Sequence, residues 1–236
     1  METLIKDDKT FLFLLGGSQA AYKIYADEFV AAAGGRQAII AVLAQTRSGW
    51  EKYQTEITRP WLDRGVAHFI PVTPYEAGRL DQTSALAALS SATGIFICGG
   101  NTPTNHQLFA YGAIGAAIRK KYRAGVPVAG ISAGALISLS ICPLTPQETG
   151  EKELKIVQGL GLASGFVIGV HFTEWNALPE VLELMAKTKT DIGYGIDEPA
   201  CMAFENGRFT RVLGKSVFRI EMTDFNSRMY KMLPIS

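Results

Sequence analysis

The sequence is short of cysteine, of histidine, of long apolar runs and of any excess of one charge, and each shortage removes a class of protein. Three cysteines, Cys98, Cys142 and Cys201, form no C-x-x-C pair, which argues against a disulfide framework or a cysteine zinc site and fits reduced, buried thiols. The longest clean apolar runs, Phe11–Leu15 and residues 38–44, fall far short of the roughly 20 residues that cross a bilayer, so no membrane span is expected. Lys and Arg number 23 against 22 Asp and Glu, a formal charge of +1. That balance lacks the positive field on which non-specific nucleic-acid binding depends. Residues 1–9 carry acids where a signal peptide is basic, and a cytoplasmic protein is the expectation.

What is present points to a compact, globular chain. Of 236 residues, 47% are hydrophobic and 19% charged, enough apolar surface to offset the entropy of ordering in one domain spanning 1–236. Short apolar runs alternate with amphipathic ones. Strands are predicted at 10–15, 37–44, 68–72, 94–98 and 127–131, and helices at 19–33, 50–64, 80–92 and 104–124. This alternation predicts an α/β fold with one doubly wound, mostly parallel sheet covered by helices on both faces. A further strand at 162–170 should extend the sheet, followed by a helix at 179–188. Asn206-Gly207, between apolar runs 200–205 and 209–213, predicts an antiparallel hairpin near the carboxyl end, with one more strand at 216–222. Such sheets gather their chemistry in the loops beyond the carboxyl ends of the strands.

Gly130-Ile131-Ser132-Ala133-Gly134 falls at one of those ends, between a predicted strand and an apolar helical run. This is the setting of a nucleophile elbow, in which a sharp turn exposes the serine oxygen and small neighbours let the backbone approach closely. The amide of Ala133 would then face an oxyanion formed when Ser132 attacks a carbonyl. Gly99-Gly100-Asn101-Thr102 ends another strand. An amide of Gly99 or Gly100 could supply the second oxyanion donor, with Asn101 and Thr102 facing substrate; a plain glycine turn capped by Asn101 or Thr102 is the competing reading.

Three histidines are available as base. His68 reads as a partly buried strand histidine and His106 as a solvated residue at a helix start. His171 ends the strand at 162–170 and faces the same sheet edge as Ser132, which makes it the candidate base. Glu198 is the favoured orienting acid and Asp197 the next; Glu174, three residues from His171, and Glu148, in the polar loop 143–153, are the other acids weighed. No dinucleotide fingerprint follows Gly16-Gly17 and no phosphate-binding lysine motif occurs, so no cofactor is expected; no histidine is spaced to a carboxylate as a metal site requires. Tyr22, Tyr25 and Phe29 repeat at helical spacing and read as a core face.

Taken together, Gly99-Gly100-Asn101-Thr102, Gly130-Ile131-Ser132-Ala133-Gly134-Ala135, His171-Phe172 and Gly195-Ile196-Asp197-Glu198 resemble peptidase family S51. That family groups cyanophycinase with aspartyl dipeptidase (peptidase E) on a fold similar to class I glutamine amidotransferases. The resemblance implies Ser132 as nucleophile, His171 as base and Glu198 as acid, although the dipeptidase branch places an aspartate elsewhere. It also implies a homodimer. Cyanophycinases recognise a β-aspartyl-arginine unit, with Asp-Gln before the His-Phe pair and several arginines after it. Here those positions read Gly169-Val170 and Glu174-Trp175-Asn176-Ala177-Leu178-Pro179-Glu180, and Gly-Gly-Asn-Thr looks more like the dipeptidase branch. The expected function is therefore a serine peptidase acting on a small peptide or isopeptide without cyanophycin specificity. The alternatives are a non-catalytic binding module of the same fold, or an esterase or amidase acting on a non-peptide acyl group.

Overall fold

The computed structural model describes residues 9–45, 50–76, 78–214 and 216–236; the reading of residues 1–8 lies outside them. In chain order the elements are β1 (Phe11–Leu15), α1 (Ala21–Ile24), α2 (Ala26–Ala32), β2 (Ile39–Leu43), α3 (Trp50–Leu62), β3 (His68–Val72), α4 (Gln82–Ser91), β4 (Gly94–Ile97), α5 (Thr102–Asn105), α6 (Gly112–Arg123) and β5 (Val128–Ile131). There follow α7 (Ala133–Ser138), β6 (Ile141–Leu144), α8 (Pro146–Thr149), β7 (Lys155–Gln158), β8 (Val167–Val170), α9 (Leu178–Thr188), β9 (Ile192–Ile196), β10 (Ala200–Glu205), β11 (Arg208–Gly214), β12 (Val217–Asp224) and β13 (Met229–Ile235).

The central sheet has the order β11-β10-β1-β5-β4-β2-β3. Its five inner and outer parallel strands, β1 to β5, are joined by β10 pairing antiparallel to β1. The apolar runs of β1, β2, β4 and β5 are buried on both faces because alternate side chains enter different cores, whereas the edge strand β3 is only partly covered. On β1, Leu12 and Leu14 pack with α4, α6 and α7 residues such as Leu89, Ile118 and Ile137. Phe13 and Leu15 pack on the other face with Tyr22, Phe29 and Trp61 from α1, α2 and α3 and with Tyr25 at the α1–α2 junction. Tyr22, Tyr25 and Phe29 thus form the core face their spacing predicts. The chain leaves β1 toward one face and β5 toward the other, so a crevice opens between these neighbouring strands.

Several boundaries differ from the expectation. The helix at 19–33 breaks at Tyr25, whose ring is fully buried against Phe13, Phe29 and Phe96. The helix at 104–124 is interrupted at Tyr111, after a π-helical turn over His106–Ala110, and restarts at Gly112 with φ +57°. A larger departure concerns the strand at 162–170. It does not extend the central sheet: β8 pairs parallel with β9 in a second sheet of order β13-β12-β9-β8. The reason is that β10 occupies the free side of β1, with β11 beyond it, and closes that edge to β8. Asn206-Gly207 makes the hairpin between β10 and β11 as read. Among the described residues no helix is long and apolar enough to cross a membrane.

Candidate active site

Ser132 sits between β5 and α7 with φ +53° and ψ −120°, a region non-glycine residues seldom occupy and that costs on the order of 1–3 kcal/mol. The elbow is held by close backbone approach. A side chain at Gly130 would strike the Gly134 carbonyl, and one at Gly134 would strike the Ile97 carbonyl of β4. The small residues flanking the serine are thus a packing requirement of the turn. Ala133 opens α7, so its N–H has no intrahelical acceptor and lies at the positive end of the helix. Gly99 lies against the Ser132 side chain, and Gly100 adopts φ +140° beside it.

His171 follows β8, also with positive φ at +46°, and Glu198 follows β9. Ser132 Oγ lies 2.9 Å from His171 Nε2, and His171 Nδ1 lies 2.9 Å from Glu198 Oε1. With the proton on Nδ1, the imidazole donates to Glu198 and accepts from the Ser132 hydroxyl. The end of β1 sets this separation through backbone hydrogen bonds: the Ser132 N–H donates to the Leu15 carbonyl at 3.0 Å and the His171 N–H to the Gly16 carbonyl at 3.3 Å. Gly17 lies hard against the imidazole, where any Cβ would overlap the ring. Trp175 stacks on the ring.

The two acids at 197 and 198 divide their work. Asp197, 6% exposed, accepts from the Thr173 N–H at 2.9 Å and fixes the loop after His171. Glu198 reaches the imidazole, and its own N–H donates to Glu174 Oε1 at 3.2 Å.

The glycine loop differs in part from its reading. Asn101 does not face the crevice: its side chain caps α5 by accepting from the Thr104 N–H at 3.1 Å and hydroxyl at 2.8 Å. Competition from an orphan helix amide explains this. Thr102 does line the crevice, but its N–H and hydroxyl both donate to Glu148 Oε1, at 2.8 and 2.7 Å. Gln45, after β2, donates to the Asn101 carbonyl at 2.7 Å and to Asn105 Oδ1 at 2.9 Å, and so anchors the loop from the opposite side. Of the remaining histidines, His68 is exposed rather than partly buried, since β3 is an edge strand. His106 is 5% exposed rather than solvated, 2.8 Å from the Gln158 carbonyl through Nε2 and packed edge-on against Tyr111. Sequence reasoning missed Gln45 and Trp175, weighed Glu148 only as an orienting acid and weighed Gly17 only as part of a dinucleotide fingerprint. Only Gly16-Gly17, a glycine pair at a strand end like Gly99-Gly100, gave a signal for its role.

A cavity of about 330 Å³ opens beside Ser132, Gly100 and Trp175. A serine on a sharp strand-to-helix turn, in line with an imidazole and a carboxylate, is the kind of arrangement on which serine hydrolases rely. The sequence profile of peptidase family S51 matches residues 12–212, and the chain belongs to that family. It is accordingly a serine-type hydrolase, a peptidase by family. The cyanophycinase of Trichormus variabilis is 25% identical over 225 residues, covering 92% of this chain and 75% of its own length. Among solved structures, a peptidase from an acI-B1 Actinobacterium shares the fold with TM-score 0.73 at 16% identity, over 98% of this chain and 96% of that one. A putative peptidase E from Listeria monocytogenes EGD-e shares it with TM-score 0.64 at 17% identity, over 88% and 100% of the two chains.

Proposed function

We propose that Ser132, His171 and Glu198 act as a catalytic triad that cleaves small peptides or isopeptides. The observation that carries this reading is the unbroken line of two 2.9 Å contacts from the Ser132 hydroxyl through both ring nitrogens of His171 to Glu198. His171 takes the hydroxyl proton as Ser132 attacks the scissile carbonyl, and Glu198 stabilises the imidazolium that forms. The amides of Gly100 and Ala133 hold the developing oxyanion, aided by the amino-terminal end of α7. His171 returns the proton to the leaving amine, and water then releases the acyl group by the reverse sequence. Gly99 gives the serine clearance, and Thr102 borders the substrate while Asn101 supports the loop from behind.

The non-catalytic alternative expects a serine and histidine too far apart to bond, which the 2.9 Å separation disfavours. The three cysteines are free and buried, which supports a reducing, cytoplasmic setting. Ser132→Ala should abolish both peptide turnover and covalent labelling by a serine-directed phosphonate. Labelling that persists in this variant removes Ser132 from the mechanism.

A further inference from the structure

The walls of the cavity beside Ser132 do not match a charged substrate side chain. Leu136, Leu154, Ile168, Val181 and Leu184 line it, all at 8% exposure or less. Among the described residues no Lys, Arg or His contributes to its lining, and the charged groups that do are two acids, Glu148 and Glu180. Both acids are more exposed than the apolar walls, which places them toward the mouth. Neither is paired with a cation among the described residues, whereas the adjacent Glu183 is held by Lys187 at 3.0 Å. Glu148 Oε1 is committed to Thr102, and its Oε2 meets the Thr145 hydroxyl at 3.3 Å.

We infer that the substrate residue bearing the scissile carbonyl is hydrophobic and carries a free ammonium group, so the enzyme takes short peptides with an unblocked, apolar amino-terminal residue. This rests on the triad proposed above. The side chain fills the apolar cavity, and the ammonium sits at the mouth between Glu148 and Glu180. Two neighbouring carboxylates without a counterion gain most from a cation, because binding relieves their repulsion as well as adding attraction. Glu180 already feels that repulsion: burial and then the charges of Glu148 and Glu183 push its carboxyl above the usual range. An aspartyl side chain would meet the opposite situation, a desolvated carboxylate among apolar groups with acids and no donor cation. An α-amine fits better than a lysine or arginine head group, since a long cationic side chain would carry its charge into the apolar depth.

The test is a panel of p-nitroanilides of Leu, Ala, Asp, N-acetyl-Leu and N-acetyl-Lys, with p-nitrophenyl acetate as a reporter of the triad that needs no side-chain pocket. Leu-p-nitroanilide should exceed the Ala compound by about tenfold in kcat/KM, and the N-acetyl-Leu compound by about fivefold or more. The Asp compound should be the poorest. Glu180→Gln should narrow the gap between free and acetylated Leu, and Glu180→Arg should raise the Asp compound relative to Leu. An acyl burst from p-nitrophenyl acetate combined with equal or better turnover of the Asp, N-acetyl-Leu or N-acetyl-Lys compounds overturns the inference alone. Absence of both the burst and phosphonate labelling overturns the triad and the inference with it.

Discussion

Trp175 lies flat against His171, the two ring centroids 3.9 Å apart and the planes within 12° of parallel. The indole is 67% exposed, so burial alone does not account for its position. A cation facing an aromatic ring at an exposed site gains about 0.5–1 kcal/mol, and in the mechanism proposed above the imidazole gains a positive charge when it takes the serine proton. Trp175→Leu is therefore expected to lower kcat by roughly two- to fivefold, and Trp175→Phe to restore most of it. Equal losses in both variants would assign Trp175 to cavity shape rather than to the charge on the ring.

The adjacent acids should separate cleanly on mutation. In Glu198→Gln the amide can donate to Nδ1 and hold the proton on Nε2, where it can no longer accept from Ser132. Turnover is expected to fall by about two to four orders of magnitude with little change in thermal stability. Asp197→Asn keeps an oxygen for the Thr173 amide and should cost less than about tenfold. If Asp197→Asn proves the more damaging, steady-state kinetics will have reversed the assignment of the orienting acid.

Gly17 offers a test of geometry without any change in charge. A methyl group there would overlap the His171 imidazole, which can swing aside at modest energetic cost because it is the end of a side chain. Gly17→Ala should consequently fold, with a melting temperature within a few degrees of the parent, yet lose about 100-fold or more in kcat. At Gly16 the clash is with the carbonyl groups of Ile196 and Asp197, so Gly16→Ala should depress the melting temperature as well. A fully active Gly17→Ala enzyme would mean that the imidazole is not confined by the end of β1.

The buried thiols bear on pH. Burial, then the charge of Glu148, pushes the Cys142 thiol from 9.0 up to about 12, and burial holds Cys201 well above its ordinary value. Thiol reagents attack the thiolate, so the native protein should be inert to them at pH 8, and three thiols should react after unfolding in guanidinium. For Cys142 the folded pKa is the higher one. Its stabilising contribution is therefore complete below pH 9 and is lost as the pH rises toward about 12. The melting temperature should fall over that interval, less steeply in Cys142→Ala. Rapid reaction of any thiol in the native state at pH 8 would contradict this.

Much of this architecture could be read directly. Strand and helix periods located β1 to β5 because parallel strands buried on both faces appear as continuous apolar runs, as in Phe11–Leu15. Gly130 and Gly134 flag the elbow because the turn leaves no room for side chains. His171 and Glu198 were legible as strand-end residues, but not the sheet to which their strands belong. Pairing partners are set by which edge remains open, and here β10 had closed the edge beside β1. The two readings of Asn101 could not be separated from sequence, because a side chain that faces a crevice and one that caps a helix have the same local pattern, and in the structure it caps α5.

The sequence by itself determined which backbone turns could form and which residue types stood ready at them, because steric limits and burial periodicity act over a few neighbouring positions. Tertiary structure alone decided that two separate sheets would bring a hydroxyl, an imidazole and a carboxylate into line, that Trp175 would cover the ring, and that Glu148 and Glu180 would border one apolar cavity. Those contacts join residues far apart in the chain. Their geometry follows from how whole layers pack, which no local pattern encodes.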